Sequence, residues 1–166
     1  VSQPALVYIF GAGHISQCLA KLLDVIDFRT VIYDDRKKYA DRKLFPTAAQ
    51  IIVDDFINIG KHISVSNRDY VVIMTDGHKK DCSVLAQVLR FKPLYTGMIG
   101  SNSKIRANYK KLREIYSYTD DELNSVYAPI GLPIGSETPE EIAVSIAAQL
   151  IKVRADDNQN LTEKFY

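Results

Sequence analysis

The stretch Val7-Tyr8-Ile9-Phe10-Gly11-Ala12-Gly13-His14-Ile15-Ser16 decides how the rest of the chain is read. A short apolar run, Ala5 to Phe10, leads into two closely spaced glycines. A helical pattern follows, with Ile15, Leu19, Leu22, Leu23 and Ile26 on one side. A second apolar run, Arg29 to Tyr33, then ends on Asp34. Gly11 permits a tight turn, and Gly13 lets the backbone approach a pyrophosphate lying at the helix N-terminus. Asp34 stands 21 residues beyond Gly13, near the offset of about 20 residues at which an acid meets the ribose hydroxyls of a dinucleotide. Ser16 replaces a third glycine, which relaxes helix–strand contact and leaves phosphate access unchanged. Strand, glycine turn, helix, strand and terminal acid together predict a nucleotide-binding βαβ unit.

Outward from this unit, strand-like and helix-like patterns alternate, as in a parallel α/β sheet. Strands are expected near 5–10, 29–34, 50–53, 70–74 and 94–99, with a weak sixth at 125–129. Helices are expected near 14–26, 37–43, 79–90, 102–116, 120–124 and 139–154. Val71-Val72-Ile73-Met74 and Tyr95-Thr96-Gly97-Met98-Ile99 are apolar or small throughout, as strands covered on both faces should be. The expected architecture is a Rossmann-like, doubly wound parallel sheet of order 3-2-1-4-5. It forms a single domain over residues 1–155, followed by a loosely held polar tail at 156–166.

Bulk properties narrow the function classes. The 166 residues are 46% hydrophobic and 25% charged, with a net charge of +1. Such a balance gives no electrostatic reason to expect nucleic acid or a membrane surface. No apolar run approaches the roughly 18 residues that span a bilayer, and no signal peptide is seen. Two cysteines far apart give no disulfide framework, which fits the cytoplasm. The first residue is Val1 rather than Met, which reads either as a trimmed chain or as a piece of something longer. Three histidines without clustered cysteine or carboxylate spacing give no expectation of a metal.

Each strand end carries polar or flexible residues, and ligands of such sheets bind outside the carboxyl ends of the strands. Asp34-Asp35-Arg36 closes the second strand. An acid there accepts a ribose diol and repels a 2′-phosphate, whereas Arg36 can stack on adenine or pair a phosphate. The balance favours NAD(H) over NADP. Thr75-Asp76-Gly77-His78 follows the fourth strand, where His78 is either a proton-transferring ligand contact or a solvated helix start. Cys82, in register with Leu85 and Leu89, and Cys18, in register with Ile15 and Leu22, are expected in the core. Gly100-Ser101-Asn102-Ser103-Lys104 opens the next helix. Ser101 is its N-cap, and the free N–H groups with Lys104 form a site for phosphate or another oxyanion. Lys110, Lys111 and Arg113 read as a solvated face. Thr138-Pro139-Glu140-Glu141 is a capped helix start, and the apolar loop from Gly131 to Gly135 before it reads as a lid or pocket wall.

Taken together, Gly11-Ala12-Gly13-His14-Ile15, Asp34-Asp35-Arg36, Met98-Ile99-Gly100-Ser101, Ala128 to Gly135 and Glu137-Thr138-Pro139-Glu140-Glu141-Ile142-Ala143 resemble the C-terminal Rossmann half of XdhC/CoxI proteins. These are xanthine dehydrogenase accessory, or molybdenum hydroxylase maturation, factors, and the likeness runs from about Pro4 to Arg154. It implies a domain that binds a dinucleotide through Gly11, Gly13 and Asp34 and helps to chaperone the molybdenum cofactor to a xanthine dehydrogenase-like client. The Ser101–Lys104 helix start would take an oxyanion, the pterin phosphate being one. The chain departs from the family by Asp76, where His or Arg is usual before Gly-His. It also lacks the family's cysteine-bearing N-terminal domain. Two other classes stay open: an NAD-dependent oxidoreductase with His78 as acid/base, and a nucleotide-sensing regulator of the kind that forms a homodimer.

Overall fold

The computed structural model describes residues 4–165. Five strands form one sheet: β1 (Leu6–Phe10), β2 (Arg29–Asp34), β3 (Gln50–Val53), β4 (Tyr70–Ile73) and β5 (Tyr95–Met98). All pairings are parallel, in the order β3-β2-β1-β4-β5, which is the expected Rossmann-like arrangement. The helices are α1 (His14–Val25), α2 (Ile59–His62), α3 (His78–Val88), α4 (Asn102–Tyr116), α5 (Asp120–Asn124) and α6 (Pro139–Phe165).

The period-2 alternation of β1 explains the two layers. Val7 and Ile9 point to one side, where Leu19 and Leu23 of α1 and Ala143, Ile146 and Leu150 of α6 cover them. Tyr8 and Phe10 point to the other, against Val84, Leu85 and Val88 of α3 and Ile105 and Leu112 of α4. Both faces are therefore dry, which is why the strands read as unbroken apolar runs. Each such fully buried aliphatic side chain contributes about 1.5–3 kcal/mol.

Three expectations are corrected. Residues 37–43 form isolated turns, not a helix: Arg36 O accepts from Tyr39 and Ala40 N–H, and Asp41 O accepts from Leu44 and Phe45. Ala40 and Phe45 are buried, but Lys37, Lys38, Arg42 and Lys43 leave no continuous apolar stripe. The sixth strand shrinks to one parallel bridge between Gly97 and Tyr127. Pro129 has no N–H with which to continue the ladder, and Gly131 follows at φ +98°. The polar segment from Asp156 continues α6 as helix through Phe165. It holds no Gly or Pro, and α6 is anchored just before it: Arg154 donates to Ile26 O at 2.8 Å and stacks on Phe28 at 4.2 Å.

Candidate functional site

The carboxyl ends of β1, β4 and β5 run directly into the starts of α1, α3 and α4, so three helix N-termini surround one crevice. Gly11 seals its floor. At φ +106° its N–H donates to Tyr33 O, and a Cβ there would sit 2.0 Å from Met74 O. No other residue fits. Gly13 is different, because a Cβ on it would meet nothing within 4 Å. It faces a cleft of about 290 Å³ lined by His14, Ile15, Ser16, Met74, Thr75 and Ile99.

Gly13 caps α1 without a side chain, and no acid stands in the first turn. Among the described residues, the N–H groups of Gly13 to Ser16 have no acceptor; the first helical bond is Gln17 N–H to Gly13 O. Ser16 deepens this site. It is 1% exposed, yet its Oγ has no hydrogen-bond partner. Buried hydroxyls are ordinarily bonded, and this one has no acceptor among the described residues. The residue read as a substitute glycine is thus a candidate ligand contact.

Asp34 is corrected. It is 1% exposed, and protein donors fill its acceptor positions. Oδ2 accepts from Ala12 N–H at 2.7 Å and Arg36 Nη2 at 2.9 Å. Oδ1 accepts from Arg36 N–H at 2.9 Å and Nε at 3.0 Å. Burial alone would raise its carboxyl, but these bonds, those of the Arg36 side chain foremost, outweigh it and hold the group below its ordinary value. Asp34 latches the glycine turn to the end of β2 and has no free lone pair aimed at a ribose. The Asp34 bond to an N–H two residues on is an Asx turn, a local signal already present in Asp34-Asp35-Arg36. Asp35 is the freer acid, with 19% of its side chain exposed and Oδ1 without a hydrogen bond. Arg36 is also engaged, on Asp34, near Asp76 at 3.7 Å, and over the Tyr39 ring at 4.2 Å.

Beside the first cleft lies a second of about 250 Å³, sharing Thr75 and Ile99 with it. It brings together Asp76, Gly77, His78, Gly100 and Lys104, as the strand ends predict, and adds Asp81 and Asn108. Asp81 went unnoticed in the sequence. It is buried, and its Oδ1 accepts from Thr75 N–H at 2.8 Å and Thr75 Oγ1 at 2.6 Å, so it fixes the turn after β4. Burial pushes its carboxyl up against the pull of those bonds. Ser101 caps α4 by accepting Lys104 N–H at 3.4 Å, while the Lys104 ammonium has no carboxylate partner among the described residues and borders the cleft. Cys82 is buried in the core, and burial raises its thiol.

Among the described residues His78, the candidate acid/base, has no orienting carboxylate, and neighbouring Asp76 is engaged elsewhere. Asp76 bonds Lys80 at 2.9 Å, Lys80 also bonds Asp35 at 2.9 Å, and His78 is exposed with no hydrogen bond among the described residues. The loop from Gly131 to Gly135, expected as a lid or pocket wall, is fastened to α6 and lines neither cleft. Gly131 N–H donates to Gln149 Oε1 at 2.9 Å, and Ser145 Oγ donates to Leu132 O at 2.8 Å. One group of possible metal ligands forms that the sequence spacing did not suggest. His14, Cys18 and Glu140 bring three ligand atoms within 4.8 Å of one another, and Cys18 is only partly buried. Glu140 lies 126 positions from His14, beyond any local spacing rule.

Residues 7–150 match the XdhC Rossmann domain. The chain is 31% identical over 152 residues to a probable xanthine dehydrogenase subunit of Bacillus subtilis (strain 168), covering 92% of this chain and 43% of that protein. It is 26% identical over 153 residues to the uncharacterized protein YqeB of Escherichia coli (strain K12), covering 92% and 28%. Among solved structures, a xanthine dehydrogenase from Bacillus halodurans superposes with a TM-score of 0.83 at 33% identity, covering 93% of this chain and 44% of that one. The chain spans less than half the length of each of these relatives. With the glycine turn and the sheet order already in place, the match over residues 7–150 establishes that the chain belongs to the XdhC family, as its Rossmann domain.

Proposed function

We propose that this domain serves a xanthine dehydrogenase-type accessory factor by binding a phosphate-bearing nucleotide at the α1 N-terminus, without turning it over. The observation that carries the reading is the pairing of four unbonded N–H groups, Gly13 to Ser16, with the buried, unpartnered Ser16 Oγ on an open cleft. The ligand of choice is NAD(H), whose diphosphate suits this N-terminus. Its adenine ribose would be taken by Asp35 rather than Asp34, and the carboxylates of Asp35 and Asp76 disfavour the 2′-phosphate of NADP. His78 without an orienting partner supports binding over acid/base chemistry.

The second cleft, with Lys104 at the α4 start, supports capture of a second anionic group. In an accessory factor this is the phosphate of the molybdenum cofactor, held as cargo on its way to a hydroxylase client. The relatives' greater length supports a further domain that completes the cargo site.

Calorimetry with NAD on the parent and on Gly13→Val tests the reading. The open space at Gly13 lets valine fold in place while its side chain fills the pyrophosphate position. Affinity should fall by about tenfold or more, about 1.4 kcal/mol. Equal affinity in a folded variant would remove the α1 N-terminus as the binding site.

A further inference from the structure

A second feature of α1 is independent of the nucleotide reading. His14 and Cys18 are one helical turn apart on the same face, and Glu140 reaches them from the first turn of α6. The His14 Nε2 atom lies 3.0 Å from Glu140 Oε1 and 3.9 Å from Cys18 Sγ. All three ligand atoms fall within 4.8 Å of one another. Both contacts converge on the same ring nitrogen, and that is the decisive point. A protonated Nε2 donates to Glu140 at 3.0 Å and leaves Cys18 only a long contact at 3.9 Å, in which the sulfur is at best a weak acceptor. A bare Nε2 can accept from the thiol but then turns its lone pair on a carboxylate. A Cys–His–Glu nucleophile relay is excluded for the same reason, since it needs the two partners on opposite ring nitrogens.

The geometry points to a divalent-cation site of zinc type at His14, Cys18 and Glu140. A cation between them accepts all three lone pairs at once. A tetrahedral zinc with bonds of about 2.0–2.3 Å places its ligands about 3.3–3.5 Å apart, and the observed 3.0 and 3.9 Å bracket that range. The ligands sit on two helices locked by a shared core through Leu19, Leu23, Ala143 and Ile146, so the frame is preorganised. Three protein ligands leave a fourth position for water or a ligand atom, and His14 also lines the cleft at Gly13. Binding takes Cys18 as the thiolate and releases its proton to solvent, so affinity rises with pH.

The test uses the purified chain, reduced and stripped with chelator, titrated with Co²⁺ alone and then with Zn²⁺ against a chromophoric chelator. One equivalent of Co²⁺ should develop intense near-ultraviolet thiolate-to-cobalt absorption, which Zn²⁺ abolishes. Cys18→Ala should remove that absorption, and His14→Ala and Glu140→Gln should each weaken Zn²⁺ at least tenfold. Cys82→Ala should keep both readouts, and circular dichroism checks that each variant is folded. Absence of the thiolate band would overturn the proposal and leave a plain His14–Glu140 ion pair. A band that survives Cys18→Ala, or Zn²⁺ affinity equal in all variants, would overturn it too.

Discussion

Replacing Asp34 with alanine separates two roles that a strand-ending acid can play in this fold. As a ribose acceptor it would matter to ligand affinity and little to stability; as a latch it would do the reverse. Its removal leaves the N–H of fully buried Ala12 without an acceptor, which costs about 1–3 kcal/mol. It also unpairs Arg36. Breaking a fully buried ion pair costs about 3–5 kcal/mol, but the Arg36 side chain is 30% exposed and keeps Asp76 within 3.7 Å, so solvent takes up most of that share. A total of about 3 kcal/mol follows, or about 6–12 °C in Tm at roughly 2–4 °C per kcal/mol for a chain of this size. The pH dependence has a definite sign. The Asp34 carboxyl is lowered in the folded state, so its contribution is fully present above the unfolded value near ~3.9 and is lost as pH falls through the lower folded one. The stability gap between parent and variant should therefore be wide at neutral pH and close in acid. Thermal unfolding followed by circular dichroism across that range reads both effects. A variant that melts with the parent yet loses NAD affinity would refute the latch and return Asp34 to the ribose.

Three further outcomes are expected. Asp81→Ala should destabilise the domain by about 1–3 kcal/mol because the Thr75 N–H and hydroxyl lose their acceptor. Asp81→Asn keeps a carbonyl oxygen for both and should stay near the parent in chemical denaturation; equal losses in the two variants would disprove the hydrogen-bonding role. Asp35→Ser should narrow the preference for NAD over NADP in paired calorimetric titrations by removing a repulsive charge, and an unchanged ratio would exclude Asp35 from the ribose site. Lys104→Ala should weaken binding of a phosphate-bearing pterin at low ionic strength, with the loss shrinking as salt is added; a loss independent of salt would show that the ammonium acts by packing.

Much of the fold was legible because the strands are covered on both faces and must be apolar without interruption, and because parallel strands force a helix between most neighbours. The starts of α4 and α6 were legible for a local reason: Ser101 and Thr138 each bond within three residues of themselves. What escaped was set by distant partners. The stretch that reads as a tail continues α6, which Arg154 anchors to Ile26 just before it. Asp34 stands at the offset of a ribose-binding acid, but its side chain turns inward to Ala12 and Arg36, which a spacing rule cannot see. Ser16 reads only as a substitute for the third glycine and Asp81 draws no notice in the sequence; burial shows one without a partner and the other holding Thr75.

The helix starts of this domain are furnished differently, and the difference bears on where an anion is proposed to bind. An N-terminus carries unbonded N–H groups and a partial positive charge, and the chain can neutralise both with a capping side chain and first-turn acids. α5 does so with a Thr119–Glu122 capping box behind Asp120 and Asp121. α6 does so with Thr138 and Glu141 bonding each other's N–H groups. Of the three helices that open at the crevice, α3 carries Asp81 in its first turn, bonded to Thr75, while α1 and α4 have no acid there and α1 has no side-chain cap at all. Glycine at an N-cap is inferior to Ser or Asp by only a few tenths of a kcal/mol, so leaving α1 open is cheap for folding. An aspartate at position 13 would satisfy the helix and fill the place of a phosphate. The bare start of α1, beside the capped and acidic starts of α5 and α6, is therefore what supports the proposal of an anion at that one helix.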